Sequence, residues 1–377
     1  MTRSAAKPKT WIPSLDWLLV FVPVALGLRY VSGWENQTAL FIFSALALIP
    51  VAGWMGHATE QLAHHMGEGV GGLMNASFGN AAELIIALMA LRAGEIDVVK
   101  ASITGSIIGN LLLVLGIAVF AGGLRYPRQT FNQTAVRASC TALILAAAAL
   151  VIPSVFHSTA AQQPGGWSPA AEQMLSLIIA VILLGTYVAM LIFSLVTHRQ
   201  LFVGRVDESS DSGDAAGDVQ NRWSIRKAIS ILLGATIMIA WLSEFLVGAV
   251  EAARHSLGVS ETFVGVIIVA IVGNAAEHST AVTMALRNKM DLSFGIAIGS
   301  SLQIALFVAP VLVFASYLFP HRLNLEFTMP EIVAVVGAAF VTGQISGDGE
   351  SNWLEGVQLL ALYLILAVLF YFLPGSG

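Results

Sequence analysis

One five-residue sequence occurs twice, and it limits what the rest of the chain can be. Gly79-Asn80-Ala81-Ala82-Glu83 returns 194 residues later as Gly273-Asn274-Ala275-Ala276-Glu277, each time inside a stretch apolar enough to cross a bilayer. A carboxylate among Ala, Ile, Leu and Val is costly in hydrocarbon, so an acid held there marks a functional site. Asn80 and Glu83 are three residues apart, which places both on one helix face, and Asn274 and Glu277 repeat the arrangement. At the same offset Ala87 falls on Ala281, Asp97 on Asp291, Gly105 on Gly299 and Ser106 on Ser300. Together these make nine identities in 28 ungapped positions. The chain is a duplicated unit, and each copy brings one carboxylate and one carboxamide.

Composition decides the surroundings. Of 377 residues, 56% are hydrophobic and 11% charged, against about 25% charged in a soluble domain. Such a chain reads as an all-α polytopic membrane protein in a lipid bilayer, because helices satisfy their own backbone there. Five Lys provide no basic face, so no nucleic-acid partner is expected. The single Cys140 excludes an intrachain disulfide framework and reads as a small buried apolar residue. There is no Gly-Lys pair, no His-Glu-x-x-His and no Gly-x-Ser-x-Gly. A P-loop, a zinc hydrolase and a serine hydrolase therefore find no support. The chain is expected not to be an enzyme and to need no cofactor.

Apolar runs cover about 17–28, 39–54, 70–91, 98–120, 135–155, 168–197, 225–250, 262–286, 292–318, 330–344 and 353–372. The first follows Arg3, Lys7 and Lys9 and lacks a small-residue cleavage site, so it reads as a membrane helix rather than a signal peptide. Ser168 and Pro169 have the character of an N-cap and first helical residue. A polar segment with His57, Glu60, His64, His65 and Glu68 follows the second run. Glu60 and Glu68 are expected there either in a vestibule or in a plain solvated loop.

Eleven transmembrane helices divide into one extra N-terminal helix (1–35), a first five-helix repeat (36–197), an acidic cytoplasmic linker (198–224) and a second five-helix repeat (225–377). Because five is odd, the second repeat enters the membrane from the opposite side. This is the inverted repeat of many secondary transporters, with the site near the midplane. The linker carries Asp207, Glu208, Asp211, Asp214 and Asp218 among Ser, Gly and Ala, which reads as a flexible solvated linker; the alternative, a regulatory calcium-binding segment, lacks EF-hand spacing. With the N-terminus cytoplasmic, thirteen of the eighteen Lys and Arg fall inside, and Arg29, Arg92, Lys100, Arg254 and Arg322 fall outside. That bias favours this orientation and puts the C-terminus on the opposite side. A bacterial cytoplasmic membrane is the expected location, and assembly as a homo-oligomer is left open.

Glu83 and Glu277 carry the chemistry. Two carboxylates neutralise a divalent ion such as calcium, and amide, hydroxyl and carbonyl oxygens complete about six to eight ligands. Without the ion, two neighbouring carboxylates in a low-dielectric site favour taking up protons. One pair of acids can therefore hold either calcium or protons. Asn80 and Asn274 are candidates for ligation or for positioning the acids, beyond bonding across helices. Gly79 and Gly273 let helices approach, or let the helix open and expose carbonyls. Ser106, Ser300 and Gln303 are further metal-ligand candidates. Gly105/Gly109 and Gly295/Gly299 have the spacing of tight helix packing. His278 is either a hydrogen-bonded structural residue or a proton relay.

These residues carry a family resemblance. The stretch from Met74 to Ala87 resembles the first signature of the calcium/proton exchanger (CAX) family, within the cation/calcium exchanger superfamily. Gly273 to Ala281, continuing into Asn288-Lys289-Met290-Asp291 and Gly299-Ser300-Ser301-Leu302-Gln303-Ile304-Ala305, is similar to the second. The resemblance runs from about Ala58 to Val311. It implies ten core helices in inverted repeats, an extra N-terminal helix, an acidic linker, and Glu83 and Glu277 alternating between metal and protons. The expected function is a secondary antiporter that exchanges cytoplasmic calcium for protons by alternating access. The alternatives are a passive calcium-permeable channel, or an exchanger of the same fold that prefers manganese or sodium.

Overall fold

Two long helices form the axis of the molecule, and each contains the residues that follow one copy of the motif. In the computed structural model the described residues are 15–33, 35–66, 71, 73–74, 77–160, 162, 166–198 and 223–373, the side chain of Ala276 excepted. Glu68 and nearly all of the acidic linker lie outside them. A 3-10 stretch Leu15–Val20 leads into α1 (Phe21–Tyr30), followed by α2 (Gln37–His65), α3 (Ala81–Ala93) and α4 (Ile96–Arg125). Next come α5 (Gln133–Ala160), α6 (Pro169–Thr197), α7 (Ile225–Gly248), α8 (Val250–Leu257) and α9 (Glu261–Gly273). The chain ends with α10 (Ala275–Leu286), α11 (Met290–Leu318), α12 (Met329–Ile345) and α13 (Trp353–Phe372).

Seven helices among the described residues are long and apolar enough to cross a membrane alone: α2, α4, α5, α6, α7, α11 and α13. The pair α8–α9, bent by 110°, brings the number to eight if it is counted as one broken span. The protein is thus an integral multi-pass membrane protein. Of the remaining expected spans, 17–28, 70–91 and 330–344 meet the shorter helices α1, α3 and α12, and 262–286 is divided between α9 and α10. One boundary needs correction. The polar segment after the second run is not a loop, because α2 continues through Glu60 to His65. Gln, Leu, Ala and Glu are good helix formers, and nothing after Trp54 breaks the turn. His57 and Glu60 face each other one turn apart at 3.6 Å on the exposed side of α2.

The cap expected at Ser168 is present, and a second, not named from the sequence, stands at Ser224. Ser168 Oγ accepts from the Ala171 N–H at the start of α6, with Pro169 next to it. Ser224 caps α7 in the same way.

Burial separates centre from rim. In α4 and in α11, 72% of the most apolar stretch is buried, whereas α6 and α13 bury 28% and present Val181, Ile182, Leu364, Ile365 and Phe372 outward. Water would not tolerate such faces, and lipid covers them. α4 and α11 run antiparallel. Lys100, near the start of α4, meets Glu326 beyond the end of α11 at 3.4 Å. At the opposite end, Gln129 donates to Asn288 at 3.0 Å and the Asn132 N–H donates to Asp291, just inside α11. There the two-residue strands β1 (Gln129–Thr130) and β2 (Glu350–Ser351) pair antiparallel and join the two halves. Helices equivalent under the 194-residue offset therefore point in opposite directions.

Candidate cation site

Each motif interrupts a helix at the same residue. Asn80 (φ −101°, ψ 30°) and Asn274 (φ −90°, ψ 11°) both leave the helical region, and α3 and α10 restart immediately after them. Gly79 sits in the turn before α3. The carboxamides are thereby released from a regular helix surface and turn towards the opposite repeat. The two motifs touch: a Cβ added to Gly273 would stand 3.2 Å from Glu83 Cγ. Gly273 thus serves close approach, one of its two expected uses.

The polar side chains cross between repeats. Ser300 Oγ donates to Asn80 Oδ1 at 2.7 Å, and Asn274 Nδ2 donates to Ser106 Oγ at 3.0 Å. Asn80 Nδ2 donates to Gln303 Oε1. All the expected amide and hydroxyl candidates are therefore brought together. Asn110, which the sequence reading misses, joins them from α4. Its Nδ2 donates to Asn274 Oδ1 at 2.9 Å and to Ser300 Oγ at 3.0 Å, and the residue is fully buried. Under the repeat offset its equivalent is Ile304, so the duplication gives no hint of it. The signal available was only an Asn in an apolar run.

Wide helical turns shape the surroundings. α4 carries a π-helical segment at Gly109–Val114 and α11 one at Ile304–Val308, each a few residues beyond its serine. Such segments frequently accompany functional sites. The network sits near the middle of both helices.

The acids stand one turn beyond Asn80 and Asn274, in the first turns of α3 and α10. Glu83 is buried and Glu277 half-buried. Both carboxylate oxygens of Glu83, one of Glu277, and Asn110 Oδ1 have no hydrogen-bond donor among the described residues. Buried acceptors without donors are expensive, and a cation or a proton answers that need. No three of His, Cys, Asp and Glu come together among the described residues. The donor set is therefore carboxylate, carboxamide and hydroxyl oxygen, which suits a hard cation. His278 Nε2 has no partner either, so its hydrogen-bonded structural reading finds no support on that nitrogen. Glu60 stands apart, exposed on α2.

The glycine pairs do not behave alike. A Cβ on Gly105 would overlap the Val266 backbone, as tight packing requires, but Gly109, Gly295 and Gly299 would meet nothing within 4 Å. Tight packing, expected at all four, holds only at Gly105. Identical spacing in the sequence conceals a difference in what faces each pair.

A family model described as sodium/calcium exchanger protein matches residues 36–196 and 227–372. The chain belongs to this family. Among curated exchangers it is 45% identical over 365 residues to a Ca(2+)/H(+) antiporter of Synechocystis sp., covering 95% of this chain and 96% of that one. It is 47% identical over 338 residues to the Ca(2+)/H(+) antiporter ChaA of Bacillus subtilis, covering 89% and 93%. The solved structure of native YfkE superposes with a TM-score of 0.80 at 42% identity, covering 95% of this exchanger and all of that chain. The resemblance to calcium/proton exchangers carried by the two signatures therefore holds across nearly the whole sequence.

Proposed function

We propose that this protein exchanges cytoplasmic calcium for protons by alternating access, with Glu83 and Glu277 holding either the metal or the protons. One observation carries the reading. Both oxygens of Glu83, one of Glu277 and the Asn110 Oδ1 are buried without donors among the described residues, the acids one turn beyond the asparagines that bond across the two repeats. The relatives named as Ca(2+)/H(+) antiporters support the same ion pair. Asn80, Asn274, Ser106, Ser300, Gln303 and the Gly79 and Gly273 backbones are proposed to complete or position the coordination, with His278 beside the proton route. The orientation follows the charge bias: N-terminus and acidic linker in the cytoplasm of a bacterial cell, C-terminus outside. The eleven-span arrangement of an extra N-terminal helix and two five-helix repeats belongs to the same proposal.

The test is calcium flux in vesicles containing the purified protein, with and without a proton gradient and with manganese or sodium as competitors. Uptake that follows the proton gradient is expected. Equal flux after the gradient is collapsed would make the protein a passive channel. Preferential displacement by another cation would change the substrate but not the mechanism.

A further inference from the structure

The repeats differ in one respect that bears on how the site is reached. The offset of 194 pairs Gly71 with Gly265, Ala101 with Gly295, Gly105 with Gly299, and Gly109 with Gln303. In one half these positions are sealed. A Cβ on Gly265 would overlap Ala101, and a Cβ on Gly105 would overlap the Val266 backbone. In the other half the equivalent contact is not made. Gly71 packs instead against the end of α2, where a Cβ on it would run into the Ala63 carbonyl, and Gly295 and Gly299 face open space. Both line a cavity of about 240 Å³ together with Asn132, Asp291 and Gln303, its remaining walls mostly apolar side chains such as Leu191, Phe294 and Leu302. The Gln303 carboxamide accepts from Asn80.

Asp291, Gly295, Gly299 and Gln303 recur at every fourth residue, a stripe that drifts slowly around α11. Glycine gives such a stripe width, and it leaves backbone carbonyls within reach of a partly dehydrated ion. Resting on the reading of a shared calcium and proton site, we infer that this stripe is the cation's path between the site and the end of the molecule that carries Arg128, Arg287 and Lys289. The mirror-image stripe Asp97, Ala101, Gly105 and Gly109 on α4 is the path to the other side, shut in this structure by Gly265 and Val266. In the opposite state the contacts exchange: Gly71 seats against Gly295, and Gly265 leaves Ala101.

Thiol accessibility tests this. In a Cys140→Ser background, Gly295→Cys and, one turn deeper, Gly299→Cys should fold normally, because open space receives the new side chain. A membrane-impermeant, positively charged thiol reagent should modify position 295 from the face that carries Arg287 and Lys289 and not from the other. Proton-driven calcium uptake should be lost once modification is complete. Ala101→Cys should stay unmodified from both faces until conditions that protect position 295 expose it.

Full transport after complete modification at 295 and 299 would put the cavity off the path. Absence of reaction from either face would show it closed. Equal reactivity at 101 and 295 would remove the asymmetry. If the unsubstituted protein exchanges no calcium for protons, the functional reading fails by itself. One-sided labelling at 295 with none at 101 would still support the asymmetry in that case, and equal labelling would still overturn it.

Discussion

Glu83 and Glu277 occupy equivalent positions in the two repeats, yet their surroundings are unequal. Glu83 is buried with two unpaired oxygens and lies on Gly273, whereas Glu277 has one unpaired oxygen and is half-buried. Both are required if each repeat supplies one charge to a divalent ion. Glu83→Gln and Glu277→Gln are each expected to abolish proton-driven calcium uptake while the protein still reaches the membrane. Near-normal transport in either variant would exclude that acid. The same acids tie affinity to pH. A proton and calcium compete for one carboxylate, so lowering pH should weaken apparent calcium affinity. The change is about tenfold, or about 1.4 kcal/mol, per pH unit for each proton displaced. Binding measured by calorimetry should give a slope of log affinity against pH near two if both acids are protonated in the ion-free site. A flat profile between about pH 5 and 8 would send protons by a separate route. At this scale the repeated residues were legible because duplication singled them out. Asn110 was not, since its equivalent is Ile304 and a lone buried amide in an apolar run has no pattern to announce it.

Among the elements, the Ser168-Pro169 start of α6 was readable, whereas the end of α2 and features set by neighbours were not. Ser168 and Ser224 cap their helices as serine chemistry dictates. The wide turns of α4 and α11 left no trace, because Gly-Asn-Leu-Leu-Leu-Val and Ile-Ala-Leu-Phe-Val are ordinary apolar sequence. The glycine pairs misled for a related reason: spacing reports which residues share a face, not what covers that face. The difference can be measured. Gly105→Ala forces a methyl group into the Val266 backbone and should destabilise by about 1–3 kcal/mol. Gly299→Ala, its repeat equivalent, meets open space, and alanine's better helix propensity should leave it neutral or more stable by up to about 1 kcal/mol. Thermal melting of the two variants in detergent decides between them, and equal losses would mean that both faces are packed.

For the whole molecule, five runs per repeat implied opposed halves, and the antiparallel α4 and α11 have that relation. Seven or eight full-length spans among the described residues, against eleven runs, show where hydropathy reaches its limit. A run registers apolarity, and bends such as the 110° corner between α8 and α9 are invisible to it. Topology remains directly testable. In a Cys140→Ser background, Ser212→Cys should be shielded from an impermeant thiol reagent in intact cells and Ser376→Cys should react. The reverse pattern would invert the charge-based orientation. The presence of one carboxylate in each motif, two in all, also has an electrical consequence. With calcium bound the pair sums to zero charge, and with two protons bound it again sums to zero. Whichever cargo it holds, the site crosses the membrane field as a neutral body. A full unit charge would feel about 2.3 kcal/mol per 100 mV. Exchange of one calcium for two protons should therefore run at the same rate whether an imposed potential is positive, negative or absent. A steep voltage dependence in proteoliposomes would require a further titrating group to travel with the acids, and His278 is the side chain placed to be one.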